Sequence, residues 1–237
     1  MLLYRRARVA GGTYFFTVVR HRRRRLFHDE ANRTLLGEVI RDCQRDWPFE
    51  MNAVVLLPEH LHANWTLPAG DDNDFGRWST IKKDFTQRFL AAGGTDWKVS
   101  DGTRREDRRA IWQPRFGEHV IQDEDDFDVH FDYIHDTPVK HKLTRCPSDW
   151  GPTSFHRWVQ QGAYAPDWAC GKFPAPQIPV TTANYGEDYG DQKSGTGSPA
   201  GACPTLTLTV KERETFEFFI ELLNLKRMGQ WFTGVVE

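Results

Sequence analysis

Val54-Val55-Leu56-Leu57-Pro58-Glu59-His60-Leu61-His62-Ala63-Asn64-Trp65 is the stretch from which the rest of the chain can be read. Phe49 to Leu57 reads as one strand and His60 to Leu67 as the next, with Pro58-Glu59 as the short connection of an antiparallel hairpin. Side chains alternate across a strand, so His60 and His62 share one face while Leu61 points to the other, into a core. A pair of imidazoles on one sheet face can hold a divalent metal.

On the N-terminal side, Thr13 to Val19 is β-branched and aromatic and reads as a strand, followed by a basic loop over Arg20 to Arg25. Asp29 or Asn32 can cap a helix running to about Asp46, with Leu35, Leu36, Val39, Ile40 and Cys43 at helical spacing and Pro48 beyond it. Toward the C-terminus, Phe75 to Ala92 reads as a helix with Trp78, Ile81, Phe85 and Phe89 on one side. Residues 93–109 form a loop, and Ile111 to Ile121 is extended with a break at Pro114. Glu124 to Thr137 is helical and is expected to end at Pro138, because the residue before a proline is pushed out of helical space. A loop and a short helix, Ser154 to Gln161, follow. The order strand–helix–strand–strand–helix–strand predicts an α+β ferredoxin-like sandwich: a central antiparallel sheet with helices packed on one face.

Composition changes at about Gly171. Residues 171–205 are rich in Pro, Gly, Ser and Thr and read as a linker, and residues 210–228 regain a helical pattern through Phe216, Phe219, Ile220, Leu223 and Leu225. The division is therefore a domain over residues 1–170 and a linker with a C-terminal tail over 171–237. No apolar run approaches the ~20 residues of a membrane helix. The arginine-rich N-terminus lacks the apolar core of a secretion signal, so a cytoplasmic, nucleoid-associated location is expected. Cys43, Cys146, Cys170 and Cys203 show neither metal-finger spacing nor a disulfide framework and read as reduced structural thiols.

The 31 basic and 33 acidic residues nearly cancel, giving a net charge of −2. They are unevenly placed. Residues 1–28 hold eight arginines and no acid, whereas residues 118–136 hold eight acids and neither Lys nor Arg. Such a chain can bind phosphate with one surface while staying neutral overall; the bland alternative is a solvated basic arm. Arg5, Arg6, Arg22, Arg23, Arg24 and Arg25 are the candidates for phosphate or base contacts. Lys82 and Lys83 lie opposite the apolar stripe of their helix and could hold backbone phosphate or simply face water. Trp112, Phe116 and His156 could stack on unpaired bases, although Trp112 fits a core position better. A metal-holding histidine pair, together with Tyr133 on a later helix, points to phosphodiester chemistry on nucleic acid.

His60-Leu61-His62 after Leu57-Pro58-Glu59, and Asp132-Tyr133-Ile134-His135-Asp136-Thr137-Pro138-Val139-Lys140-His141, together resemble the tyrosine transposases of the HUH single-strand nuclease superfamily. More narrowly, the chain resembles the REP-associated tyrosine transposases of bacteria. Tyr4-Arg5-Arg6, Gly11 to Val18, Pro48 to Val55, Arg77 to Thr86, Ile111 to Phe116 and Ser154 to Arg157 agree. The resemblance covers about residues 1–170. It implies that His60 and His62 ligate Mg2+ or Mn2+ and that Tyr133 is the nucleophile. It also implies a single-strand DNA endonuclease and strand transferase acting on palindromic REP hairpins through a 5′-phosphotyrosine, as a monomer or homodimer. In the family a third metal ligand, Asn or Gln, lies four residues after the tyrosine. Here that position is Thr137, whose hydroxyl is a shorter and poorer ligand; water, Asp136 or His130 are other sources of a donor. The family's glycine after Lys-His is Lys142 here. The alternative implied by Thr137 is a hairpin-binding protein with impaired cleavage. His135 lies about 200° around the helix from Tyr133 and is not counted as a ligand.

Overall fold

Alternation along a single strand creates two cores. In a computed structural model that describes residues 8–96 and 110–171, Thr13–Val19 (β1) sends Tyr14, Phe16 and Val18 into one apolar cluster and Phe15 into another on the opposite face. The elements that follow are α1 (Glu30–Asp46), β2 (Glu50–Leu56), β3 (His60–Thr66), α2 (Asp74–Ala91), β4 (Gly117–Val120), α3 (Glu124–Lys140) and the short α4 (Phe155–Gln160). The strands lie in the order β2-β3-β1-β4 and every neighbouring pair is antiparallel. This is the ferredoxin-like arrangement, with β1 and β3 central.

The helices start where local chemistry favours them. The Asp29 carboxylate accepts from Ala31 N at the head of α1, and the Asn73 side chain accepts from Gly76 N at the head of α2; caps of this kind contribute about 1 kcal/mol each. Leu36, Val39, Ile40 and Cys43 from α1 and Trp78, Ile81, Phe85 and Phe89 from α2 are buried against Phe16 and Trp65 of the sheet. The Asp123 side chain accepts from Asp126 N to open α3, and Glu124, Asp125 and Asp126 occupy its first turn, where the helix dipole favours anions. Part of the acidic run of the sequence is thus a helix start.

Three expectations are corrected. Helices cover both faces of the sheet: α1 and α2 pack on one, while Phe131, Tyr133 and Ile134 of α3 and Trp158 of α4 pack with Phe15, Ala53 and Val55 on the other. The second face of this sheet carries enough apolar area to need its own cover. Pro138 does not end α3, which continues to Lys140. Proline forfeits one amide donor, but the last turn closes on other bonds. Lys142 N donates to Val139 O and Leu143 N to Pro138 O, with Lys142 in the left-handed region at φ 58°, a Schellman closure. Finally, Cys146 and Cys170 are not free thiols: they form a disulfide, and buried Cys43 is the free cysteine among the described residues. Their α-carbons meet at 4.2 Å across 24 residues of chain, a proximity that spacing alone does not encode.

The edge of β2 is also covered. Leu56 N donates to Pro152 O, Ser154 N to Val54 O, and the Trp150 and Trp158 indoles to Leu56 O and Asn52 O. The edge therefore presents fewer unpaired groups to a foreign strand. No helix among the described residues is long and apolar enough to cross a membrane. Arg5, Arg6, the tail helix expected over 210–228, and most of the linker lie outside the described residues. Lys142 occupies a backbone conformation that favours glycine. Lys142→Gly should raise the unfolding free energy by about 1 kcal/mol with an unchanged m-value in urea denaturation.

Candidate active site

Antiparallel pairing sets Thr17 of β1 opposite His62 of β3 and Phe15 opposite Asn64. These residues and His60 share the sheet face that α3 covers. Thr17 Oγ1 lies 2.9 Å from His62 Nδ1, which holds that ring from behind. His60 and His62 are fully buried, their ring centres 4.9 Å apart and nearly perpendicular. The Glu59 carboxylate approaches His60 Nδ1 at 3.4 Å. Burial works to raise the Glu59 carboxyl, but its contact with His60 and the positive groups nearby hold it below the ordinary carboxylate range.

α3 brings Tyr133 to this pair. The phenol ring stands edge-on to His62 at 5.3 Å and to Phe15 at 5.9 Å. Phe15 in turn stacks on His62 at 5.5 Å, so one ring packs against both the strand imidazole and the tyrosine. Two turns along α3, Lys140 Nζ donates to the Tyr133 hydroxyl at 3.0 Å and sits 4.3 Å from its ring centre. The His141 ring reaches His60 at 5.4 Å. Thr137 is buried beneath, and its hydroxyl donates to Tyr133 O at 2.5 Å. The geometry thus brings His60, His62, Tyr133, Lys140 and His141 together, and Thr137 lies one helical turn past Tyr133.

Two buried imidazoles, with the Glu59 carboxylate as an oxygen donor beside His60, suit a divalent ion that retains some water ligands. The Thr137 proton is committed to Tyr133 O, which leaves its oxygen only acceptor capacity. No His, Cys, Asp or Glu joins His60 and His62 to complete a tight three-residue cluster among the described residues.

The other sequence candidates separate into groups. Arg22 and Arg25 are exposed, Arg23 and Arg24 half-buried. Their loop is tied to the hairpin turn, because Arg20 N donates to Glu59 O and Phe27 N to Pro58 O. The arginines therefore lie at the His60 end of the site. Arg22 and Arg23 both adopt left-handed φ values, 52° and 47°, a strained pair of non-glycine residues. Arg20 itself is buried among Phe27 and Trp112, donates to Ile111 O, and is pushed down to about 9 by desolvation. Lys83 is exposed, whereas Lys82 donates to Gln113 O at 2.5 Å. Trp112 and Phe116 belong to the core under α1 and α2, and His156 Nε2 lies 3.1 Å from Trp150 O. Asp136 is buried. His135 faces away from the histidine pair, 2.8 Å from Ser154 Oγ and 3.2 Å from the Tyr164 hydroxyl. His130 is buried beside Phe15.

Sequence reasoning missed Thr17, Phe15, Lys140 and His141. Lys140 was within reach: it lies seven residues, about two helical turns, after Tyr133, and was hidden by ending the helix at Pro138. Thr17 had no local signal, since only strand pairing brings it to His62.

No family model matches the chain. It is 45% identical over 167 residues to a REP-associated tyrosine transposase of Escherichia coli, spanning 70% of this chain and 90% of the relative. A putative REP-associated tyrosine transposase of Haemophilus influenzae is 36% identical over 166 residues, 70% of this chain and 92% of that one. A solved REP-associated tyrosine transposase bound to a REP hairpin superposes with a TM-score of 0.58 at 40% identity, covering 76% of this chain and 99% of that one.

Burial pushes His135 down to about 3. The unfolded chain takes up that proton near pH 6.5 and the folded one does not, so this group's contribution is full above that pH and lost as pH falls toward 3. Between pH 7 and pH 5 the wild type should lose about 2 kcal/mol more stability than His135→Gln, read from urea midpoints at the two pH values.

Proposed function

The chain belongs to the REP-associated tyrosine transposases, and from that premise we propose that it cleaves and rejoins single-stranded DNA at REP-type hairpins through Tyr133. The observation that carries this reading is the placement of the Tyr133 ring 5.3 Å from His62 on a helix lying across the buried histidine pair.

In this reading the Tyr133 hydroxyl oxygen attacks the scissile phosphorus. The phenol gives up its proton to water and the new O–P bond forms as the bond from phosphorus to the 3′-oxygen breaks; that bond's electron pair stays on the 3′-oxygen, which takes a proton from water to become a free 3′-hydroxyl. The DNA 5′-phosphate is left on the tyrosine. A phenol with a pKa of about 10 is a weak nucleophile at neutral pH. The Lys140 ammonium donates to its oxygen at 3.0 Å and favours the phenolate, both as it attacks and as it leaves in the reverse reaction. Because the phosphodiester energy is retained in the tyrosine ester, a 3′-hydroxyl can later reverse the step and join strands. His60 and His62, with Thr137 or Glu59 and water, would hold Mg2+ or Mn2+. Such an ion, when bound, polarises the phosphate and holds it in line. Thr17 keeps the His62 ring in the orientation a ligand needs.

The arginines of the 22–25 loop, Arg5, Arg6 and Lys83 are the residues that would contact the hairpin, and Lys82 contributes less because its ammonium is engaged with Gln113 O. Phosphate contacts set affinity, and arginine contacts to base edges set sequence preference. Residues 1–170 constitute the catalytic unit, in keeping with the extent of the match to the relatives, with 171–237 appended. A second reading, hairpin binding with impaired cleavage, is favoured by Thr137, which stands where the family has Asn or Gln.

Incubation with Mn2+ and a REP hairpin oligonucleotide should yield a protein–DNA adduct that survives denaturing electrophoresis and disappears in Tyr133→Phe. An adduct that persists in that variant identifies a different nucleophile. Thr137→Asn should raise the rate of adduct formation; tight hairpin binding with no cleavage until that substitution is made would establish the second reading. Thr17→Val should weaken Mn2+ binding by about tenfold or more, measured by titration calorimetry.

A further inference from the structure

On the far side of Phe15 from His62 lies a second group of metal-ligating side chains that the proposed reaction does not use. β4 sets His119 opposite Phe15 in register. Asp126 and His130 are four residues apart on α3 and therefore share a helix face. The Asp126 carboxylate sits between the two imidazoles: Oδ2 is 2.7 Å from His119 Nε2, and Oδ1 is 3.0 Å from His130 Nδ1. The His119 and His130 rings stack at 4.5 Å, 17° from parallel, so both nitrogens lie toward the same carboxylate. One ligand atom from each residue lies within 4.8 Å of the other two. His130 is fully buried, while His119 and Asp126 remain about one-fifth exposed at 20% and 19%, so one side is open to water and to an entering ion.

We propose that His119, Asp126 and His130 form a second divalent-metal site, for a zinc-class ion, which ties β4 to the first turns of the helix carrying Tyr133. Two imidazoles and one carboxylate with a solvent-exposed side are the donor set of a tetrahedral site completed by water. Imidazole nitrogens are good donors for a zinc-class ion. Neutral imidazole is the ligand form. In the metal-free state the three side chains hydrogen-bond to one another, and His130 Nδ1 also lies 2.8 Å from Asp126 O. An entering ion takes the place of the proton between each imidazole and the carboxylate; a neutral ring keeps its one proton on the nitrogen away from the ion, and only a doubly protonated ring releases one.

The site is separate from the catalytic pair. The Phe15 ring stands between them, 4.8 Å from His130 and 5.5 Å from His62, and His130 precedes Tyr133 by one turn. Occupancy would fix the start of α3 against the sheet edge and with it the reach of the tyrosine. The metal site stands whether or not Tyr133 is the nucleophile, because its test reads binding and not cleavage.

The probes are Zn2+ and Co2+ added to tag-free full-length protein carrying His60→Ala and His62→Ala, so that the first pair contributes nothing. The expected result is one equivalent of Zn2+ by calorimetry and the visible absorption of four-coordinate Co2+. Further addition of His119→Gln or Asp126→Asn should weaken Zn2+ binding by tenfold or more and abolish the Co2+ bands. Circular dichroism confirms the fold of each variant; should Asp126→Asn unfold the protein, the half-buried His119→Gln decides alone. Loss of Zn2+ binding in the His60/His62 double variant, or binding unchanged by His119→Gln, overturns the proposal and leaves the triad as a hydrogen-bonded clamp.

Discussion

The pairing of β1 with β3 is the constraint on which the site depends. With Thr17 opposite His62 and Phe15 opposite Asn64, the polar residues of β3 and one aromatic of β1 face α3, and Phe16, Val18, Leu61 and Ala63 enter the core under α1 and α2. A slip of one residue would exchange these faces along both strands. Burial of Trp65, Trp78 and Phe16 against one another, with ring centres 4.6 to 5.5 Å apart, resists that slip. Each large aromatic contributes several kcal/mol of transfer free energy. The chemistry of one face is held in place by the packing of the other.

Phe15 converts this registration into a three-way contact. Its ring lies against His62, His130 and Tyr133, so the sheet, the start of α3 and the tyrosine share one apolar neighbour. α3 is correspondingly overdetermined. Asp123 caps it, acids line its first turn, Phe131 and Ile134 bury against Ala53, Val55 and Trp158, and a Schellman closure ends it beyond Pro138. Side chains that must meet a substrate with little reorganisation are best mounted on elements held this firmly. The arginines lie instead on a loop with strained backbone at Arg22 and Arg23, tied to the hairpin turn through Arg20 and Phe27 and to Ile111 through His21.

Much of this was legible before any coordinates. β1, the hairpin of β2 and β3, and both helices under the sheet followed from period-two and period-3.6 patterns in strongly apolar segments, where local preference and burial agree. His60 and His62 were legible because strand alternation alone puts them on one face. Thr137 was named through the resemblance alone, and its four-residue spacing from Tyr133 puts the two on one face of α3. Lys140 was lost through Pro138: the bias of a pre-proline residue was read as a stop, whereas the tertiary contacts of α3 outweigh one missing amide bond. The cover over the second face was lost because α3 and the Ser154 segment approach the sheet from distant positions in sequence, leaving no periodic trace in β1 or β2.

Sequence by itself determined the elements, the antiparallel hairpin and the residues that share a strand face or a helix face, because these follow from backbone periodicity over a few neighbouring residues. Only the tertiary structure decided that Thr17 stands behind His62, that Cys146 lies against Cys170, and that His119 joins Asp126 and His130. Each of these is a contact between separate elements or the outcome of how one element docks, set by the side-chain volumes that must fill the space between sheet and helix, and no spacing along the chain carries that information.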